Sequence, residues 1–324
     1  RFEGTCNNTA DVSTTVTVLQ PSTAPTGAIS SNTNFCVGSI ANITLSYTGG
    51  TLGNGAAAEW YTDAAFTNNI GSGQNLSIAA PATTTTYYVR FEGTCNTTAD
   101  VSTTVTVLQE STAPTGAGSS DNNFCVGTVA NITLSYTGGT LGNGASAEWY
   151  DDAALTNNIG SGQNLSIAAP VTTTTYYVRF EGTCNNTADV STTVTVQQES
   201  IAPTSASSSD NNFCVGTVPN ITLSYSGGTL GNGASVEWYT DAALTNNIGS
   251  GQNLSIAAPA TTTTYYVRFE GTCNTTADVS TTVTVLQEST APTAASSSDN
   301  NFCVGTLANI TLSYTGGNLG TGAT

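Results

Sequence analysis

A segment of 89 residues recurs along this chain with no insertion or deletion. The stretch RFEGTCNNTADVSTTVTV at residue 1 returns almost unchanged at Arg90, Arg179 and Arg268. Trp60, Trp149 and Trp238 keep the same step, as do the pairs Cys6/Cys36, Cys95/Cys125, Cys184/Cys214 and Cys273/Cys303. A period this long exceeds one turn of a solenoid and fits one small sandwich domain per repeat.

The period leaves the phase open, and linker chemistry sets it. QESTAPTGAGSSDNN (109–123) is rich in Pro, Ser, Gly and Asn and lacks alternation, so it reads as a junction. Its equivalents begin at Gln20, Gln198 and Gln287. This places modules at 23–110, 112–199 and 201–288. Residues 1–20 become the C-terminal strands of a preceding module, and 290–324 the N-terminal strands of a following one. Each end piece lacks most of its sheet and is expected to be unstable by itself.

Within a repeat, period-2 alternation predicts short strands. Ile43, Leu45 and Tyr47 share one face of NITLSY, and Trp60 points opposite to Glu59 and Tyr61. Leu76 and Ile78 pair up in NLSI. Tyr87, Val89 and Phe91 face one way while Tyr88, Arg90 and Glu92 face the other, and Val101, Val105 and Val107 line one side. GGTLGNG, TNNIGSGQ, APATT and CNTTAD read as turns, with Asn54-Gly55 a strong turn dipeptide. Some seven strands around a central Trp indicate an all-β chain of tandem immunoglobulin-like sandwiches.

Composition narrows the function. The formal net charge is −17, charged residues are 8%, and the only basic residues are Arg1, Arg90, Arg179 and Arg268. No basic patch for nucleic acid or anionic lipid can be assembled. No apolar run approaches the roughly 20 residues that span a bilayer, and residue 1 falls inside a repeat, as if cut from something longer. With neither His nor Lys, the commonest general base is missing and Lys–Asn isopeptide crosslinks cannot form. Glu59 and Glu92, a carboxylate pair of the kind glycoside hydrolysis uses, have Arg90 between them, which disfavours catalysis. The eight Cys include no CxxC, which disfavours zinc and redox motifs and points to disulfides in an oxidising compartment. Two pairings fit the spacing. Bonds within modules would join Cys36–Cys95, Cys125–Cys184 and Cys214–Cys273; bonds across junctions would join Cys6–Cys36, Cys95–Cys125, Cys184–Cys214 and Cys273–Cys303. The first is favoured because a domain should staple itself.

The order FCVG, TLSYTGG, EWY-D-A, IGSG, TTTTYYVR, GTC and VTV, kept in repeat after repeat, resembles the immunoglobulin-like modules of large secreted Bacteroidota surface adhesins, including gliding-motility adhesins. The resemblance implies type IX export, display at the outer surface, and a role as the repeated shaft of an adhesive or filamentous protein. It supplies no catalytic residues.

Candidate sites are few. Trp60, Trp149 and Trp238 are expected in the core. Tyr61 and Tyr88, outward by alternation, are the candidates for stacking on sugars. Arg90 lies between Glu92 and the neighbouring strand's Glu59, which predicts an Arg90–Glu59 surface pair. Asp100, Glu110 and Asp121 near the junctions are weak candidates for Ca2+, which needs six to eight oxygen ligands; no other cofactor is expected. N-x-S/T sequons fall at Asn42, Asn75 and Asn96 and at their repeats Asn131, Asn164, Asn185, Asn220, Asn253 and Asn274. The expectation is a non-enzymatic extracellular or cell-surface stalk. Its partners would be neighbouring repeats and, in a filament, like chains. The alternative is a multivalent array that binds surface glycans weakly through each module.

Overall fold

The computed structural model describes residues 1–306 and 309–324. Every regular element among them is a β-strand, and no helix is long and apolar enough to cross a membrane. The first complete repeat holds β1 (Gly27–Ser30), β2 (Asn34–Cys36), β3 (Asn42–Thr48), β4 (Ala57–Tyr61), β5 (Asn69–Ser72), β6 (Asn75–Ala79), β7 (Thr85–Glu92) and β8 (Val101–Leu108). They form two sheets, ordered β1-β3-β6 and β2-β8-β7-β4-β5. All pairings are antiparallel except β2 with β8, which is parallel. The third repeat has the same two sheets between Ser205 and Leu286. The middle repeat has the same eight strands between Gly116 and Gln197.

The chain divides into two compact units. One comprises Arg1–Ser119, Leu134–Leu165 and Thr175–Thr192; the other comprises Ser120–Thr133, Ser166–Thr174 and Thr193–Thr324. Each unit therefore contains one outer repeat and a share of the middle one.

The alternating residues close the core of each sandwich. In the first repeat Ile43, Leu45, Trp60, Tyr87, Val89, Phe91, Val105 and Val107 are buried together. Tyr47 sets its ring edge against Phe91 at 4.9 Å, an arrangement the aromatic quadrupoles favour. The Trp60 indole would be costly to bury unpaired; its Nε1–H donates to the Gly73 carbonyl at 3.0 Å. The run NIGS, which reads as part of a turn in sequence, is strand β5. It is made irregular by a register shift between Trp60 and Tyr61. Gly71 takes φ 139° there, and a Cβ at that position would lie 2.8 Å from Leu76 Cδ1.

The two end pieces show what an incomplete sheet can hold. Residues 1–20, expected to be the last strands of a module, contain an isolated bridge between Glu3 and Asn8 and no named strand. Val12, Val16 and Val18, whose counterparts Val101, Val105 and Val107 pack in the first repeat, are exposed. Without the neighbouring strands there is no apolar face to bury them. In the 290–324 piece Ala294–Ser297 pairs with Leu312–Thr315, the counterparts of β1 and β3. Leu307 and Ala308 within that piece lie outside the described residues.

Candidate functional site

The site is the junction between repeats, and β8 defines its two poles. Cys36 is in register with Leu108 at the far end of β8. Cys95 lies in the turn after β7, beside the start of β8 at Val101. Eight residues of strand span roughly 25 Å at about 3.4 Å per residue. Each repeat therefore carries one cysteine at each end.

The linker that leaves β8 is captured at once by the next repeat. Gln109 N–H donates to Asn143 Oδ1 at 2.7 Å, and Asn143 N–H returns to the Gln109 carbonyl at 3.1 Å. Ser111 is only 6% exposed. Its N–H donates to Asn185 Oδ1 at 2.8 Å, its carbonyl accepts from Asn185 Nδ2 at 2.9 Å, and its Oγ accepts from Gly142 N–H at 2.9 Å. Thr112 and Thr140 then exchange backbone hydrogen bonds in both directions. A Cβ on Gly142 would lie 2.3 Å from the Gln109 carbonyl oxygen and 2.8 Å from Ser111 N, so only glycine lets the two backbones approach this closely. The Gln109 side chain reaches back to the Ala82 carbonyl of the first repeat. The same clamp recurs with Ser200, Asn274 and Gly231, and with Ser22, Asn96 and Gly53. Asn54, expected as a turn former, also serves the clamp by accepting from Gln20 N–H.

The cystines are staggered. Cys36 is bonded to Cys184 and Cys125 to Cys273, each across a sequence separation of 148, with Cα atoms 5.6 and 5.5 Å apart. Cys184 Sγ lies 3.8 Å from the Leu108 carbonyl oxygen, at the start of the linker. Neither pairing expected from sequence occurs. Cys95 and Cys214, assigned there to disulfides, are free, as are Cys6 and Cys303. A within-repeat Cys36–Cys95 bond would have to close the length of β8, whereas a disulfide tolerates Cα atoms only about 4.4–6.8 Å apart. Phe35 fills the core beside Cys36, so alternation turns the cysteine away from its own sandwich.

The remaining sequence candidates fall elsewhere. Trp60, Trp149 and Trp238 are fully buried. Tyr61 is not the exposed platform expected for sugars. It is 6% exposed, and its hydroxyl donates to Glu92 Oε1 at 2.7 Å. The covering element is the loop after β4. Asp63 accepts from the backbone N–H groups of Thr67 and Asn68, which holds Phe66 at φ 57° and sets its ring 5.4 Å from Tyr61. Those backbone donors keep the Asp63 carboxyl below its ordinary pKa. Tyr88 is half-buried, 6.3 Å from Phe66. Arg90 does sit opposite Glu59 in register, but its Nε pairs with Glu92 Oε1 at 2.6 Å, and Glu59 accepts from Asn69 instead. The Arg90 guanidinium lies over the Phe66 ring at 3.9 Å. The Tyr61 hydroxyl and Arg90 together hold the Glu92 carboxyl below the usual carboxylate range.

The sequons divide into two kinds. Asn42, Asn75, Asn131, Asn164, Asn220 and Asn253 are exposed on strands, with Asn75 and Asn253 accepting from Ser46 and Ser224. Asn96, Asn185 and Asn274 spend both amide atoms on the linker serines, so a glycan on Nδ2 would displace the clamp. Among the described residues no group of three or more His, Cys, Asp or Glu is placed to hold a metal.

No protein of curated function matches the chain. Among solved structures, it is similar to a three-domain titin fragment, I67–I69 in an E-to-A variant, at 12% identity and TM-score 0.51. That match covers 81% of this chain and 99% of that one. A chain of the complex between Dpr2 Ig1–Ig2 and DIP-Theta Ig1–Ig3 is matched at 10% identity and TM-score 0.42, over 82% and 99% of the two chains. Immunoglobulin domains 1–5 of Sidekick-1 are matched at 14% and 0.36, over 83% and 60%. At these identities the titin likeness bears on the fold alone, and it agrees with the tandem sandwiches described above. The family model described as "Ig-like domain CHU_C associated" matches residues 22–108, 112–197 and 201–286. The three matched segments make up most of the sequence, and the chain belongs to this family of CHU_C-associated Ig-like domains.

Proposed function

We propose that this chain is a shaft segment of a non-enzymatic adhesin, displayed outside the cell, whose repeats hold a distal binding region away from the surface. The observation that supports this most is the junction. The buried linker serine, the asparagine that grips it and the cystine beside it all join one repeat to the next, and the same set returns 89 residues later. Persistent cystines fit an oxidising, extracellular setting. The resemblance to Bacteroidota surface adhesins and type IX export agrees with the same reading. Burial of Tyr61 removes half of the pair on which a glycan-binding array would rest.

The test compares variants with one, two and three repeats by small-angle X-ray scattering and on a glycan array. A shaft gives a maximum dimension that grows by a constant increment per repeat, with no saturable glycan binding. Tight, saturable binding of a defined glycan by the one-repeat variant would overturn it.

A further inference from the structure

The staggered cystines change how tension would travel through the chain. From Cys36 the backbone reaches Cys125; from Cys125 it reaches Cys184; from Cys184 it reaches Cys273. Because Cys36 is bonded to Cys184 and Cys125 to Cys273, these three stretches start and end at the same two cystines. They are three covalent strands in parallel, of roughly 89, 59 and 89 residues by the chain numbering.

We propose that the array is a tension-carrying tether whose outer repeats are covalently shielded from unfolding by pulling. Force applied between Gln20 and Glu288 enters through residues 20–36, and only the first two strands of the first repeat can peel before Cys36 draws taut. It leaves through residues 273–288, the counterpart of β8 in the third repeat. Between the cystines the shortest strand, 125–184, sets the limit. Residues 37–94 of the first repeat and 215–272 of the third lie on the longer, slack strands. The covalent route from Gln20 to Glu288 shrinks from roughly 268 residues to roughly 90. At about 3.5 Å per extended residue, the reach falls from about 940 Å to about 315 Å. Two ordinary in-module bonds of the Cys36–Cys95 kind would merely shorten each repeat separately; the stagger ties the extension of one repeat to its neighbour.

This property deepens the shaft reading, which gives it a purpose, but the extension of the isolated protein does not depend on attachment to a cell. The experiment is single-molecule force spectroscopy on the full chain, tethered at its termini, with the free thiols of Cys6, Cys95, Cys214 and Cys303 capped by iodoacetamide. Oxidised protein is expected to lengthen by no full-repeat step, and the Gln20–Glu288 portion to stop near one third of its backbone contour. Dithiothreitol then delivers two electrons and two protons to each cystine, becoming a cyclic disulfide and leaving two cysteine thiols. After it, full-repeat steps of about 300 Å should appear; the Gln20–Glu288 portion should lengthen about threefold and the whole chain between its termini about twofold. Cys184→Ser, which removes one bond only, should stop at an intermediate length of roughly 120 residues between the same points. Full-repeat steps in the oxidised protein, or an extension unchanged by dithiothreitol, would overturn the proposal. Those outcomes would leave the scattering test of the shaft untouched. Since reduction is applied to protein already folded, the result does not hinge on whether any variant folds.

Discussion

Glu92 accepts hydrogen bonds from both Tyr61 and Arg90, and its carboxyl consequently titrates below its ordinary range. A group whose folded pKa is depressed adds stability above its unfolded value, about 4.3 for Glu, and loses that contribution as pH falls through the folded value. Glu181 and Glu270 are placed and shifted in the same way. The melting temperature should therefore decline as acid enters the carboxylate range. The triple variant Glu92→Gln, Glu181→Gln, Glu270→Gln should start lower at pH 7 and show a flatter acid limb in circular-dichroism melts. An unchanged limb would show that the Tyr–Glu–Arg group carries no folding free energy. Alternation was enough to place Tyr61 opposite Trp60. It could not show that Tyr61 would be covered, because the covering comes from the loop held by Asp63, outside any strand's periodicity.

The linker element is short, and the backbone groups of Gln109 and Ser111 are held by the following repeat. Asn185→Ala would leave the Ser111 N–H and carbonyl without partners in a buried setting, at a cost of about 1–3 kcal/mol for each orphaned group. Asn185→Asp keeps the acceptor and loses the donor, so it should cost less. Amide hydrogen exchange at Ser111 should accelerate in both, and more in the alanine variant. Gly142→Ala sets a methyl group against the linker backbone, where no side chain can yield, and should destabilise by about 1–3 kcal/mol. Limited proteolysis near residues 109–112 would report the opened junction. In sequence this segment reads as a polar linker, because Pro, Ser and Asn in a non-alternating run carry that meaning. The clamp residues lie 31 and 74 positions downstream of Ser111, and a strictly local reading assigns Gly142 and Asn185 to turns of their own.

At the scale of the molecule, peptide mapping without reduction should join the Cys36 peptide to that of Cys184, and Cys125 to Cys273. Alkylation of the native protein should label Cys6, Cys95, Cys214 and Cys303. A Cys36–Cys95 peptide would contradict the staggered scheme. Repeat length, sheet content and the tryptophan-centred core all follow from periodicities of 89 and 2. The cystine pattern does not, because it depends on which pole of the sandwich each cysteine occupies, and that is fixed by the parallel pairing of β2 with β8. The adjacent Phe35 offered one clue, since two neighbours on a strand cannot both face the core. Every repeat carries both halves of a junction, one cysteine for the repeat behind it and one for the repeat ahead. Recombination between such similar repeats could therefore add or delete whole units in the gene, and each newly adjoining pair would still meet with a matched cysteine, clamp asparagine and glycine. Length can drift over generations while the bonding rule stays the same.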